Sequence, residues 1–303
     1  MHQATTPRKA ILGASNPTLA FLALIAGNVA LAFGPWFVRM TDVGPVAAGF
    51  WRIALAAPLL LLLAGMTGSR PFAEAKGLWW VLGGSGLLFA GDLGAWHLGI
   101  HHTKLANATL LGNCASLIYP IYGFVVARAW PARRQGAALV IALVGAVVLM
   151  GRSAQVSPQN LLGDLLCVVA GVLYAGYFIL MARARVTMLP LPALALSSIA
   201  AIPPLLIASI ALGEKVMPGS WTPLVTLALA SQVLGQGLMI YALGALSPLV
   251  IGLALLVQPI VAAAIGWSVY NERLALPDLV GALLIAVALV LVRRSPRSDR
   301  KAA

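Results

Sequence analysis

Charge is what this chain has least of. Only 9% of its 303 residues are Asp, Glu, Lys or Arg, and eight acidic residues stand against twenty basic ones. A chain that is 61% hydrophobic with a mean hydropathy of +0.95 lies far outside the composition of soluble domains. Cysteine is scarce too. Cys114 and Cys167 both fall inside apolar runs, so they build no disulfide framework and reveal no redox compartment. No GxxxxGK[ST] loop occurs, which excludes nucleotide hydrolysis by a phosphate-cradling loop of the chain itself.

What fills the space instead is apolar sequence. Ten runs read as membrane spans, at 17–38, 45–66, 77–100, 104–127, 135–151, 161–182, 187–211, 221–243, 247–270 and 276–292. Most reach the ~20 residues that a helix needs to cross ~30 Å of hydrocarbon, and together they leave no room for a soluble catalytic domain. The first run is longer than the ~7–15 apolar residues of a cleavable signal peptide. Trp79, Trp80, Trp130 and Trp221 sit near run ends, where aromatic anchors are expected.

The positive charge gathers in every second gap. Arg8, Lys9, Arg70, Lys76, Arg128, Arg133, Arg134, Arg183, Arg185, Arg293, Arg294, Arg297, Arg300 and Lys301 lie on one side; Arg39, Lys104, Arg152, Lys215 and Arg273 lie on the other. By the positive-inside rule both termini are expected in the cytoplasm, in a multi-pass protein of the inner (plasma) membrane. The net charge of +12 is then a matter of orientation against anionic lipid. No nucleic-acid partner is expected.

The two halves resemble each other. Residues 136–150 read GAALVIALVGAVVLM and 281–292 read GALLIAVALVLV, and upstream of each stands a span with one internal proline, Tyr119-Pro120 and Gln258-Pro259. The division falls between 1–153 and 154–303. A five-span repeat is odd-numbered, so its second copy lies upside down. The expected fold is therefore an all-α membrane protein of ten helices in two inverted five-helix repeats. Secondary transporters use that plan, with a midplane binding site where the halves meet.

Longer stretches carry a specific resemblance. FAGDLGAWHLGIHHTKLANATLLGNCASLIYP (89–120) resembles the third and fourth spans of the drug/metabolite transporter superfamily, EamA type. GFWRIALAAPLLLLL (49–63) resembles its second span with a lone arginine, and GDLLCVVAGVLYAGYFILMARAR (163–185) its sixth. The segment from Ala245 to Ala286, with Pro259 and the Glu272-Arg273 turn, resembles its ninth and tenth. Two departures stand out: GPWF (34–37) where many relatives have a Trp-Gly pair, and no counterpart of Glu272 in the first half. The resemblance implies small-molecule transport, and the chain is similar overall to amino-acid exporters of that superfamily.

Ionisable residues within membrane spans are functional candidates, because each costs at least ~2.5–3.5 kcal/mol at the bilayer centre. Arg52 and Asp92 are expected about 10 Å and about 12 Å from the outer face at 1.5 Å per residue. Lying at similar depth, they form a candidate intramembrane charge pair. Three uses are open to them: a packing salt bridge, contact with a substrate carboxylate or ammonium, and proton coupling through Asp92. His97 is expected to join helices. His97, His101 and His102 lack the Cys or acidic partners of a metal site, so no metal and no cofactor is expected. Asp164 begins a helix, where a carboxylate is favourable.

The resemblance places Trp96, His97, Asn107, Asn113, Tyr119, Tyr174, Tyr177, Gln236 and Gln258 on spans around a central cavity. Pro35, Pro120 and Pro259, with Pro203 and Pro204, can kink helices. So few fixed charges suit a substrate of low net charge. The expected function is export of small metabolites from the cytoplasm by alternating access, neutral or aromatic amino acids first; efflux of drugs or other hydrophobic compounds is the alternative. A membrane-embedded enzyme using Asp92 and the histidines is not expected.

Overall fold

In a computed structural model that describes residues 16–103, 105–151, 157–270 and 275–293, the described chain is entirely helical. Helix α1 (Pro17–Ala32) is followed at Phe33 by α2 (Gly34–Arg39); then come α3 (Pro45–Met66), the short α4 (Pro71–Glu74) and α5 (Trp79–His102). Next are α6 (Leu105–Gly112), α7 (Ala115–Ala127) and α8 (Arg133–Gly151). The second half runs through α9 (Leu161–Ala184), α10 (Pro190–Ala211) and α11 (Thr222–Leu227), a π-helical stretch over Ala228–Gln236, and α12 (Gly237–Leu243). It closes with α13 (Pro248–Leu255), α14 (Val257–Tyr270) and α15 (Leu276–Arg293).

Local sequence explains many of the boundaries. Proline occupies the first turn of α1, α2, α3, α4, α10, α11 and α13, where its missing N–H has no helical partner to lose. Asn16 caps α1, its side chain accepting from Thr18 N–H at 2.9 Å, as an N-cap asparagine does. Arg128 ends α7 in the left-handed region at φ 48°.

Helix occupies each of the ten intervals expected from sequence, with qualifications. Among the described residues six runs are long and apolar enough to cross a membrane: Pro17–Arg39, Pro45–Met66, Pro158–Ala184, Pro190–Ala211, Thr222–Leu243 and Pro248–Val269. Ala115–Ala127 and Leu276–Val292 are shorter apolar helices. Helix α5 has the length, yet Asp92, His97, His101 and His102 dilute its apolar character. Several expected spans are also not continuous α-helices. The first breaks at Phe33, the fourth at Asn113–Cys114 and the ninth at Leu256, while the eighth passes through the π-helical turns. Pro259 accounts for the break at Leu256, since a proline ring displaces the carbonyl four residues earlier. At Asn113 no proline acts; its side-chain Nδ2 donates to Thr109 O at 2.8 Å and so competes for the helix's own acceptor.

Packing couples the halves in a reciprocal pattern. Helix α5 lies along α9, α3 along α10, α7 along α13, α8 along α15, and α1 along the π-helical stretch and α12. Numbering the runs one to ten, exchange of each run with the one five places on maps this set of pairs onto itself. The paired helices are antiparallel: Gly84 meets Leu180, Gly91 meets Leu173, and Gly99 meets Cys167 and Gly163. Glycines set the closest crossings. A Cβ on Gly145 would stand 2.8 Å from Gly281 O, and one on Gly281 would stand 2.7 Å from Gly145 O. Lipid offers no hydrophobic drive between helices, so such small-residue contacts carry the association. Leu62, Leu87, Val125, Leu165, Ile207 and Leu283 are exposed around the outside, as are Trp80 and Trp130, the disposition expected of a lipid-facing surface.

One end of α3 is tied to the loop after α10. Glu214 accepts from Val46 N–H and Ala47 N–H at 3.2 and 2.8 Å, which satisfies first-turn donors and opposes the helix dipole. Lys215 donates to Asp42 Oδ2 at 2.5 Å, and Gly219 N–H donates to the same oxygen at 2.8 Å. Trp51 Nε1 donates to Val216 O at 2.7 Å, with its ring edge-on to Trp221.

Candidate functional site

A cavity of about 120 Å³ lies between the halves. That is near the ~150 Å³ of an engineered cavity known to admit benzene. Its wall draws on the interrupted first span (Gly34, Pro35), α3 (Arg52), α5 (Phe89, Asp92, Trp96, His97), the broken fourth span (Thr109, Asn113), α9 (Tyr174), the end of the π-helical stretch (Gln236) and the broken ninth span (Leu255, Gln258). The breaks at Phe33, Asn113–Cys114 and Leu256 all fall at this wall. Irregular backbone within a membrane is tolerated where it borders a cavity.

Arg52 is 7% exposed and held from behind. Its Nε donates to Gln232 Oε1 at 3.2 Å, and Gln232 Nε2 in turn donates to Ser198 Oγ at 3.1 Å. The guanidinium carbon stands 5.7 Å from the centre of the Phe89 ring, within the range of a cation–π contact. Asp92 is one helical turn beyond Phe89 on α5. The two charged groups share the cavity wall, but no ion pair within 4.0 Å joins them. The expected direct pairing is thus replaced by a shared cavity, because Gln232 and Phe89 hold the guanidinium.

His97, 1% exposed, stands at 2.8 Å from the Pro45 carbonyl through Nδ1. A carbonyl only accepts, so Nδ1 carries the proton and, in the neutral ring, Nε2 presents a lone pair. Nε2 has no hydrogen-bond partner among the described residues. Gly49 leaves room for the ring: a Cβ there would lie 3.4 Å from Nδ1. Gln236, also 1% exposed, keeps both amide atoms buried beside the Tyr174 hydroxyl. Gln258 donates to Asn28 Oδ1 at 2.9 Å, and Asn28 donates to Leu24 O at 2.9 Å.

Of the residues expected to line a cavity, Trp96, His97, Asn113, Tyr174, Gln236 and Gln258 do so, and Pro35 borders it too. Two do not. Tyr177 stacks on Phe89 with centroids 4.6 Å apart, and Tyr119 packs against Phe178 at 5.6 Å. Both are buried behind the wall, packed against Phe178. The side chain of Asn107, together with Lys104, Glu272 and Arg273, lies outside the described residues. Pro120 sits within α7 against Gly252, and Pro259 follows the break in the ninth span; neither borders the cavity. His101 and His102 are exposed at the end of α5. Asp164 accepts from Thr103 Oγ1 at 2.5 Å.

Sequence reasoning missed Phe89, Thr109, Gln232, Ser198 and Asn28. Gln232 had a signal: it stands four residues before Gln236 in an otherwise apolar run, so the two amides fall on one side of the helix. Phe89 had none, being one apolar residue among many.

Comparison with known proteins agrees with the two-part architecture. A profile of the EamA-like transporter family matches residues 18–151 and again 161–294. An uncharacterized transporter of Archaeoglobus fulgidus is 26% identical over 256 residues, covering 81% of this chain and 86% of its own. A crystal structure of a protein 14% identical to this one shares the fold, with a TM-score of 0.73 over 91% of this chain and 96% of that one.

Proposed function

The chain belongs to the EamA-like transporter family and is a multi-pass membrane transporter of small molecules; from that premise we propose that it exports neutral amino acids, aromatic ones among them, by alternating access. The observation that carries this reading is the cavity between the halves. It is walled by Phe89, Trp96 and Tyr174 and holds, among the described residues, one guanidinium and one carboxylate. A cavity with a single fixed charge of each sign suits a cargo of low net charge, and its aromatic faces suit an apolar or aromatic side chain.

The reciprocal, antiparallel pairing of helices supports an inverted arrangement of repeats 1–153 and 154–303 with ten crossings, and the bias of Lys and Arg to alternate gaps supports both termini in the cytoplasm. Export then proceeds by rocking of the halves about the cavity, across the inner membrane. A second reading, efflux of hydrophobic cations, is favoured by Asp92 facing the same aromatic walls.

Purified protein in liposomes tests the proposal. Labelled Phe, Met or Thr is expected to equilibrate faster than across protein-free liposomes. Equal rates for all three would overturn the amino-acid reading, and flux of a lipophilic cation in their place would establish the second.

A further inference from the structure

The hydrogen-bonding edges of the two cavity charges are unclaimed. Arg52 has five N–H donors, and only Nε–H is engaged, by Gln232. The other four, on Nη1 and Nη2, bond no described residue and are not sealed from open space. The carboxylate of Asp92 likewise accepts no hydrogen bond from any described residue and borders the cavity. Opposite charges in a medium of low dielectric attract strongly. Here the relay Ser198–Gln232–Arg52 and the Phe89 ring hold the guanidinium short of contact. His97 and Gln236 belong to the same wall, with His97 Nε2 and the Gln236 amide buried beside the gap. Buried polar groups without partners carry a desolvation penalty, and a ligand with matching groups removes it.

We propose that this gap is a zwitterion site: Arg52 takes the substrate carboxylate through its η edge, and Asp92 takes the substrate ammonium. The assignment rests on the reading of the protein as an amino-acid transporter and adds to it the groups that recognise the cargo. A guanidinium offers two parallel N–H bonds to a carboxylate. A carboxylate is the one acceptor-only anion in the wall and the natural partner of an ammonium. Gln236 and His97 add polar residues to the same wall. Trp96, Phe89 and Tyr174 then face the side chain, which sets breadth of apolar cargo and leaves the charged ends to set class. An uncharged hydrophobic compound leaves both ions unpaired and an anion or cation leaves one, so each is disfavoured relative to the zwitterion.

The test is a competition assay on the unaltered protein in liposomes, with whichever of labelled Phe, Met and Thr is transported fastest. Its own unlabelled form, its carboxamide (ammonium only) and its desamino acid (carboxylate only) compete. The amide and the desamino acid are each expected to compete at least tenfold more weakly than the amino acid. Amino-acid flux with either analogue competing within threefold overturns the zwitterion site and leaves the transport reading standing. Absence of all amino-acid flux removes the amino-acid reading itself.

Two variants assign the ends. Asp92→Asn, checked for a monodisperse profile in detergent, is expected to lower discrimination against the desamino acid below threefold while keeping discrimination against the amide. Arg52→Gln is expected to do the reverse. Discrimination unchanged in both folded variants overturns the assignment, with ordered water as the occupant of the gap. Should Arg52→Gln fail to fold, Arg52→Lys keeps the charge but loses the fork, and weaker amino-acid competition with the amide unaffected supports the same assignment.

Discussion

Gln232 and Arg52, 180 residues apart, meet at 3.2 Å, the amide oxygen accepting from the guanidinium Nε–H. The contact joins a π-helical stretch of the second half to an α-helix of the first. It is also what turns the η edge of Arg52 towards the cavity. Wide turns of this kind are rare in helices and frequent at functional sites, and here the turns carry both Gln232 and Gln236.

Replacing Gln232 therefore tests a positioning role. Gln232→Leu removes the acceptor from a buried charged donor, a loss of about 2 kcal/mol for a hydrogen bond to a charged group. Thermal unfolding in detergent should register that loss. In transport assays KM for the amino acid is expected to rise more than the maximal rate falls, and Gln232→Glu, which keeps the acceptor, should restore KM.

The crossing of α8 and α15 should be intolerant of any side chain. Gly145→Ala places a methyl 2.8 Å from Gly281 O, and the helices must separate, at a cost of about 1–3 kcal/mol. Gly83 provides the contrast, since a Cβ there meets nothing within 4 Å. Gly83→Ala is expected to be neutral or to stabilise by up to about 1 kcal/mol through helix propensity. Melting temperatures of the two variants, measured side by side, check both.

The loop tie at the end of α3 has a defined pH window. The Lys215 ammonium, then the Gly219 N–H, lower the Asp42 carboxyl from the usual 3.8 to about 2. A carboxyl whose folded value is depressed adds stability above its unfolded value and loses it as pH falls through the folded one. The tie should therefore hold throughout the range above pH 4 and release between about pH 4 and pH 2. Emission from Trp51 and Trp221, which lie beside it, should shift over that interval. In Asp42→Asn the acid step is expected to be absent.

Reporter fusions at the two ends test the crossing number. Both termini are expected to report cytoplasm, in keeping with the basic residues that flank them. A periplasmic carboxy-terminus would sink the ten-crossing arrangement.

Much of the architecture was legible because its causes are local. Apolar runs of crossing length are read along the chain, and helix occupies each of them. The interruptions were less legible. Proline announces the break near Pro259, but the one at Asn113–Cys114 depends on an asparagine turning back on Thr109, which the residue type alone does not dictate. Among the polar residues, Trp96, Tyr174 and Gln236 border the cavity, while Tyr119 and Tyr177 do not. The two tyrosines of α9, Tyr174 and Tyr177, are three residues apart and share Phe89 and Phe178 as ring neighbours, yet Tyr174 borders the cavity and Tyr177 is buried behind it.

By itself the sequence determined the membrane class, the helices and the twofold internal likeness, because a helix in lipid satisfies its own backbone and needs no partner to exist. Only the tertiary structure decided which side chains face one another. A soluble helix marks its inner face with an apolar stripe. A helix apolar on every side carries no such mark, so the approach of Gln232 to Arg52, and the gap left between Arg52 and Asp92, follow from how the helices pack and from nothing written along any one of them.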